Sequence, residues 1–474
     1  MNTAVVEYLK SKSIKVIEED ITEKMDVWSQ WYKGKVDKFH EYTLYTGKNN
    51  LKLERKTLNM PSRVAQRWAD LLINERVAIS VDDEYSELKI QELLHQVNFY
   101  VRGNNLIETA FALGGGFFIQ YWDGEKTNQK YITQEFMYPI SYDSGRLIEA
   151  AFASSKVIDG KKYIYLETHL LDDNKEYVID NSLLYSDNKD NTAGLREVNA
   201  QFYEEHGIIP KIETHRTEPL FQMVRPNVAN KENFNSPYGT SVYSGAIDIF
   251  KQIDLTYDSY FKEFLLGKKR IFVHDGVTNI NYDKEGNQYD VFDPNEEVFY
   301  RIPEADVDGS SPIIESNLSL RVAEHNTALQ THLNCLSQAV GFGSDGFKWD
   351  SGNVATATQI ISQNSEMFRT IQKHELLLND VIVDMVKGLL WVENVFGGDS
   401  RCNFEADVTV DFDDSIIEDT AEKKRQALLE LNNGLIDAIQ YYIDVYGMTE
   451  PQAIEFFAKL RARVMPIEEE PEGA

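Results

Sequence analysis

The side chains in this sequence that could do chemistry are few, and the most suggestive are carboxylates near the C-terminal end. Asp407, Asp411, Asp413 and Asp414 crowd the stretch DVTVDFDD, a density that could hold two divalent cations for metal-dependent phosphodiester hydrolysis. A strand explains the same letters more simply. Asp407, Thr409, Asp411 and Asp413 would share a solvated face, with Val408, Val410 and Phe412 on the other. His325, His332 and Cys335 could offer zinc ligands, but no CxxC or HxxxH accompanies them, and a structural role is the better reading. Gly114–Gly116 follows a helical pattern and lacks a downstream Lys-Ser/Thr pair, so it is not a phosphate-cradling loop. No GxSxG, HExxH or kinase-type set occurs. No metal site and no cofactor is expected. What remains is a Gly-rich loop, GFGSDGFKWDSGN at 341–353, with an aromatic-basic tip of Phe347, Lys348 and Trp349. Ordinary helix–helix turns are shorter, which makes this loop the candidate for function.

Two long helical patterns must carry that loop. The first runs from Ser236, an N-cap followed by Pro237, to a stop at Gly267 and the cations Lys268, Lys269 and Arg270. Ala246, Ile249, Phe250, Ile253, Tyr257, Tyr260, Phe261 and Phe264 recur along it at helical spacing. At 1.5 Å per residue it predicts a rod of about 45 Å. The second pattern, Leu318 to Gly341, returns with Val322, Leu329, Leu333, Leu336 and Val340 on one stripe. Apolar residues on more than one side of these helices predict lateral contacts with other subunits, through Phe250, Tyr257, Phe261 and Phe264.

Between the two helices, residues 271–317 read as strands and turns: IFVH, a turn at Asp275–Gly276, a second in DKEGN, then VFYRIP. Ten acidic residues from Asp275 to Asp308 face only Lys284 and Arg301, and Asp275, Asp283, Glu285, Asp290, Glu296 and Glu297 are candidates for binding a partner. After the loop, Asn353 caps the longest helical pattern, with Ile360, Met367, Ile371, Leu378, Ile382, Met385, Leu389, Val392 and Phe396 on one stripe. Gly388 is a possible bend and Gly397–Gly398 the stop.

Upstream, residues 1–50 read as helical pieces ending in an aromatic cluster, and a helix from Asn59–Pro61 turns Val64, Trp68, Leu71 and Leu72 inward. Residues 86–112 read as one further helix, and alternation from Phe117 to Leu184 describes an antiparallel sheet of hairpins. Two helices are expected at the C-terminal end, the last opened by a capping box at Thr449–Gln452. The net charge of −29, from 48 basic and 77 acidic residues, argues against a protein that grips nucleic acid phosphates. Only Cys335 and Cys402 occur, so no disulfide framework is expected. No signal peptide or bilayer-spanning run is visible, and the chain reads as a soluble intracellular product with no membrane partner.

Five blocks taken in order resemble phage portal proteins, specifically those of tailed phages of Gram-positive hosts. They are LNMPSRVAQRWADLLINE; ALGGGFFIQYWDG with FMYPISYDSGRLIEAAFAS; SPYGTSVYSGAIDIFKQIDLTYDSYFKEF; ATATQIISQNSEMFRTIQKHE; and VTVDFDDSIIEDTAEKK with YGMTEPQA. The resemblance implies an α+β, portal-like fold and a ring, normally of twelve subunits, at one capsid vertex. Its parts would be a wing (1–235, helix-rich with an antiparallel sheet), a stem helix (236–267), a small α/β clip (268–317), a second stem helix (318–341), a tunnel loop (342–353), a long wing helix and return strand (354–412) and a helical crown (413–474). It implies a non-enzymatic subunit that conducts double-stranded DNA, with Phe347, Lys348 and Trp349 at the DNA tunnel. Implied partners are the terminase large subunit, a head–tail connector protein, and major capsid and scaffolding proteins. The implied location is the virion, and the host cytoplasm during assembly. An acidic tunnel would repel phosphates over about 8 Å at physiological salt and leave DNA free to slide. The alternative is a metal-dependent nuclease, or other nucleic-acid enzyme, using Asp407–Asp414.

Overall fold

Two-residue alternation between Phe117 and Leu184 builds the sheets that organise the first half of the chain. The structure, a computed structural model, describes residues 2–17, 21–45, 47, 50–74, 77–186, 194–231, 233–268, 270–274, 280–282, 284–286, 288–290, 299–302, 313–316, 319–344, 346–349, 357–412, 420–446, 448 and 450–464. In chain order, α1 (Thr3–Ser11) and α2 (Ile21–Tyr32) precede a hairpin of β1 (Glu41–Tyr45) and β2 (Asn50–Glu54). Next come α3 (Met60–Leu72), β3 (Ala78–Val81), α4 (Glu84–Gln96) and α5 (Phe99–Leu113). The hairpin of β4 (Gly116–Trp122) and β5 (Thr127–Thr133) leads into an antiparallel meander of β6 (Met137–Asp143), β7 (Arg146–Ile158), β8 (Lys161–Leu171) and β9 (Tyr177–Tyr185). β10 (Arg196–Glu197), α6 (Ala200–Glu205), β11 (Lys211–Glu213) and β12 (Phe221–Val224) follow. The helical hairpin is α7 (Ile247–Leu266) and α8 (Val322–Ala339). Between them lie β13 (Arg270–His274), β14 (Ile280–Tyr282), β15 (Gln288–Asp290), β16 (Phe299–Ile302) and β17 (Ile313–Ser316). Last come α9 (Ala357–Val395), β18 (Val408–Asp411), α10 (Thr420–Asn432), α11 (Ala438–Tyr446) and α12 (Glu450–Val464). This is the expected α+β class.

Two sheets share one core. One has the order β10-β9-β8-β7-β6 with β11 on β9, the other β12-β4-β5. The second lies under α9, whose predicted stripe is buried at Met367, Ile371, Leu378, Ile382, Met385, Leu389 and Val392. Trp68 of α3 and Phe111 of α5 join this core, and α1 packs Val5 and Leu9 against Tyr138, Leu166 and Leu184 of the larger sheet. Between α7 and α8, β13 pairs in parallel with β16 and antiparallel with β17.

Residues 1–75 with 79–410 form one unit, and 76–78 with 411–474 a second. Within the second, α11 packs against α10 and α12, and the Tyr442 and Phe456 rings meet at 5.1 Å. Three helices therefore stand where two were expected, because the chain turns between Asn433 and Asp437, with Gly434 at φ +68°. Thr449 of the expected capping box lies outside the described residues. No helix among the described residues is long and apolar enough to cross a membrane.

Helix boundaries differ from the sequence reading at the start of α8, which is Val322 rather than Leu318, and more consequentially at two other places. The first hairpin helix starts at Ile247 rather than just after Ser236, which makes its rod about 30 Å long. The Ser236 hydroxyl does bond locally, accepting from the Tyr238 N–H at 3.1 Å. The residues after it are drawn into the core instead of coiling. Tyr238 and Tyr243 are fully buried, and Val242 N–H donates to the Phe111 carbonyl at 2.9 Å. Gly239 lies so close to Gly114 that a Cβ there would fall 1.9 Å from its carbonyl oxygen, which explains the Gly114–Gly116 run as close packing. The second difference is the break of 86–112 into α4 and α5 at Asn98, which takes a left-handed φ of +53°.

Candidate functional site

The hairpin is fixed to the rest of its unit by two carboxylates on the buried side of α7. Asp254 accepts from Leu58 N–H at 3.0 Å, the Thr57 hydroxyl at 2.8 Å and His40 Nε2 at 3.0 Å. His40 Nδ1 accepts from Val36 N–H at 2.8 Å, which leaves Nε2 to donate to Asp254. One turn on, Asp258 accepts from Lys56 N–H at 3.2 Å and from the Lys262 ammonium. Both acids are buried, and each is satisfied by partners about 200 residues earlier in sequence. Sequence reasoning passed over them. Their signal was two aspartates four apart beside the apolar stripe, where an unpartnered charge would be expensive.

Toward its far end, α7 is joined to α8 by a forked ion pair. Glu263 accepts from Arg321 Nε at 3.1 Å and Nη2 at 2.7 Å, and these bonds hold its carboxyl down to about 2. His325 stands near this pair, its Nε2 3.8 Å from Glu263, while His332 is half-buried and Cys335 exposed. Among the described residues no three His, Cys, Asp or Glu side chains are placed to hold a metal ion.

The loop after α8 folds back along its own helix. Phe342 is buried and stacked on Trp68. The Arg67 guanidinium lies 4.7 Å from the Phe342 ring and 5.4 Å from the Phe347 ring, and it donates to the Gly346 carbonyl. Phe347 N–H donates to the Ser337 hydroxyl at 2.9 Å. Trp349 N–H donates to Gln330 Oε1 at 2.8 Å, and its indole N–H to Asn326 Oδ1 at 3.0 Å. The Trp349 ring also meets Tyr257 and Tyr260 edge-on. The tip is therefore not an exposed triad: Phe347 and Trp349 are half-buried, and Lys348 alone is exposed, without an ion-pair partner among the described residues.

The residues expected to meet other subunits divide in two. Phe250 is 1% exposed, closed in by Trp31 and Tyr243 of its own chain, and has no free face for a neighbour. Tyr257 is half-buried, while Phe261 and Phe264 stay 46% and 47% exposed beside the exposed Leu255, Leu265 and Leu266. Of the acidic candidates, Glu285 is exposed in a turn and Asp290 ends β15. Asp275, Asp283, Glu296 and Glu297 lie outside the described residues, as do Asp413 and Asp414. Asp407, Thr409 and Asp411 are exposed on one face of β18, with Val408 and Val410 turned in.

The profile described as Phage portal protein, SPP1 Gp6-like, matches residues 11–455. The chain belongs to this family. It is thus a structural portal subunit. Among solved structures, this portal chain is similar to one from the virion of a native gene transfer agent particle, with 10% identity over 82% of this chain and 90% of that one and a TM-score of 0.43. It is also similar to a chain from the neck of a native gene transfer agent particle with C12 symmetry, with 11% identity over 81% and 89% and a TM-score of 0.39. No curated protein matches it by sequence.

Proposed function

We propose that the chain forms the ring-shaped portal at one capsid vertex, normally of twelve subunits, through which double-stranded DNA enters during packaging and leaves at ejection. The observation that carries this reading is the portal family match over residues 11–455. In this reading residues 1–235 are the wing, 236–267 and 318–341 the stem, 268–317 the clip, 342–353 the tunnel loop, 354–412 the long wing helix and return strand, and 413–474 the crown. The clip docks the terminase large subunit and later the head–tail connector, and the wing meets capsid and scaffolding proteins.

The exposed apolar residues of α7, most of them at its far end, support ring formation. Leu255, Phe261, Phe264, Leu265 and Leu266 are each about half-exposed, and burial of the remainder by a neighbour is worth about 1 kcal/mol per side chain. Lys348, exposed on a loop otherwise anchored to its own helix, is the proposed phosphate contact. A single exposed cation per subunit gives contacts of about 1 kcal/mol or less, weak enough for DNA to slide past. Negative-stain images of the purified protein test the reading: rings with a central hole are expected, and monomers at every concentration would overturn it.

A further inference from the structure

The β1–β2 hairpin is an amphipathic ribbon that its own chain covers at one end only. Its register sets Tyr42 opposite Leu53 and Leu44 opposite Leu51, so by two-residue alternation these four share one face. Thr43, Tyr45, Asn50 and Lys52 lie on the other face and are exposed. At the base, Tyr42 and Leu53 are half-buried. The Lys262 ammonium donates to the Tyr42 hydroxyl at 2.9 Å, and the Arg55 guanidinium lies 5.0 Å from the Tyr42 ring. Two residues further along, Leu44 and Leu51 are 51% and 50% exposed. Neither strand pairs with a third among the described residues. A two-stranded ribbon needs a surface against its apolar face to be stable in water, and here that surface ends half-way along.

The place of the ribbon on α7 indicates what completes it. Asp254, Asp258 and Lys262, four residues apart, form the flank of α7 that holds residues 56–58 and Tyr42. Tyr260 and Glu263, which meet His325 and Arg321 of α8, lie on the other flank. Leu255 and Leu266, both exposed, stand seven residues before and four after Lys262, on the ribbon's side. The helical pair therefore has two unlike flanks, one carrying the ribbon and these leucines, the other formed by the outer side of α8. On that outer side Thr327, Thr331 and Cys335 are exposed. The Thr327 and Thr331 hydroxyls donate to the Ala323 and Thr327 carbonyls at 2.9 Å and 2.8 Å, so covering them strands no hydroxyl proton. A head-to-tail ring joins two different flanks of the same chain. Resting on the ring reading above, we propose that the β1–β2 ribbon clasps the neighbouring subunit. Leu44 and Leu51, with Leu255 and Leu266, dock on the outer flank of α8 of a second copy.

Two measurements on the full-length protein test this. Sedimentation velocity over a dilution series gives the concentration at which half of the chain is assembled. Leu44→Glu/Leu51→Glu should raise that concentration at least about tenfold with circular dichroism unchanged, and Thr43→Glu, on the opposite face, less than about threefold. Equal effects of the two would overturn the assignment of the docking face. Should the double variant misfold, photocrosslinking still decides. With p-benzoylphenylalanine in place of Leu44, irradiated rings should yield a crosslinked dimer, and mass spectrometry should place the joined peptide within residues 322–339. Rings that crosslink only within one chain, or to another element of the neighbour, overturn the clasp and leave the ring itself standing. A parent protein that forms no rings overturns both.

Discussion

Trp68 stacks on Phe342 with ring centroids 4.6 Å apart and planes 22° from parallel, and this contact fixes where the loop leaves α8. The Trp68 indole N–H also donates to the Val340 carbonyl at 3.2 Å, so α3 holds both the last turn of α8 and the first loop side chain. Phe342→Ala should cost about 3–5 kcal/mol, the usual range for emptying a buried aromatic site. Phe342→Leu should cost less than about 2 kcal/mol. Thermal unfolding gives the ranking. Trypsin gives the local readout, because freeing the loop base should speed cleavage after Lys348 in the Ala variant well before global unfolding. Equal cleavage rates in parent and variant would mean that Arg67, Gln330 and Asn326 hold the loop without the stack.

Gly388 lies inside α9 and faces Gln120 of β4, and a Cβ there would fall 2.6 Å from Gln120 Oε1. Ala is normally favoured over Gly inside a helix by about 1 kcal/mol. Here the amide cannot yield, because Gln120 is fully buried and its Nε2 donates to Gln222 Oε1 at 2.7 Å. Overpacking costs about 1–3 kcal/mol and should win, making Gly388→Ala destabilising. In a Gln120→Ala background the obstruction is gone, and the same substitution should become neutral or stabilising. That reversal of sign in a double-mutant cycle separates packing from helix propensity.

The α9 stripe was legible because one period held over many turns, and Ile371, Ile382, Met385, Leu389 and Val392 are all essentially inaccessible. The β4–β9 strands were legible for the same reason, at period two. Ser236–Pro237 misled because its signals are local. The serine bonds its neighbour as a cap would, yet burial of Tyr238 and Tyr243 decides the backbone, and that depends on contacts with distant residues such as Trp28 and Phe111. The Phe-Lys-Trp tip was visible as composition but not as exposure. Nothing nearby in sequence says that Gln330 and Asn326 would turn Trp349 inward. Asp254 and Asp258 were overlooked on similar grounds, since their partners precede them by about 200 residues.

His374 of α9 lies under the same loop, 4.7 Å from the Trp68 ring and 5.0 Å from the Phe111 ring. Its Nδ1 accepts from Asn227 N–H at 3.0 Å, and burial, with the neighbouring Lys373 charge, pushes its pKa down to about 3. Above about pH 6.5 neither the folded nor the unfolded chain binds a proton here. Between pH 6.5 and 3 the unfolded chain binds one and the folded chain does not, so stability falls as pH drops through this window. The slope is about 1.4 kcal/mol per pH unit, or about 2 kcal/mol between pH 6.5 and 5. His374→Gln keeps an acceptor for Asn227 but does not titrate. Urea midpoints at pH 7 and pH 5 should therefore differ less in the variant than in the parent, by about that amount. An unchanged difference would place the acid sensitivity on carboxylates instead.

Lys348 is exposed while the residues on either side of it are anchored, so its charge can be changed with little effect on packing. The backbone N–H groups of Phe347 and Trp349, not the lysine side chain, make the loop's bonds to Ser337 and Gln330. Lys348→Glu should therefore leave thermal stability within about 0.5 kcal/mol of the parent, as for most surface substitutions. It should also leave ring assembly intact. In a narrow passage it replaces a ring of weak attractions by a ring of repulsions, each acting over about 8 Å at physiological salt. Particles carrying the variant should package less DNA or lose it faster, and the deficit should shrink at higher ionic strength. Quantifying encapsidated DNA at two salt concentrations, with rings counted on grids from the same preparation, measures both halves of the expectation. Lys348→Gln, which removes the attraction without adding repulsion, should fall between parent and Lys348→Glu. If all three fill and hold DNA alike, Lys348 does not face the DNA path.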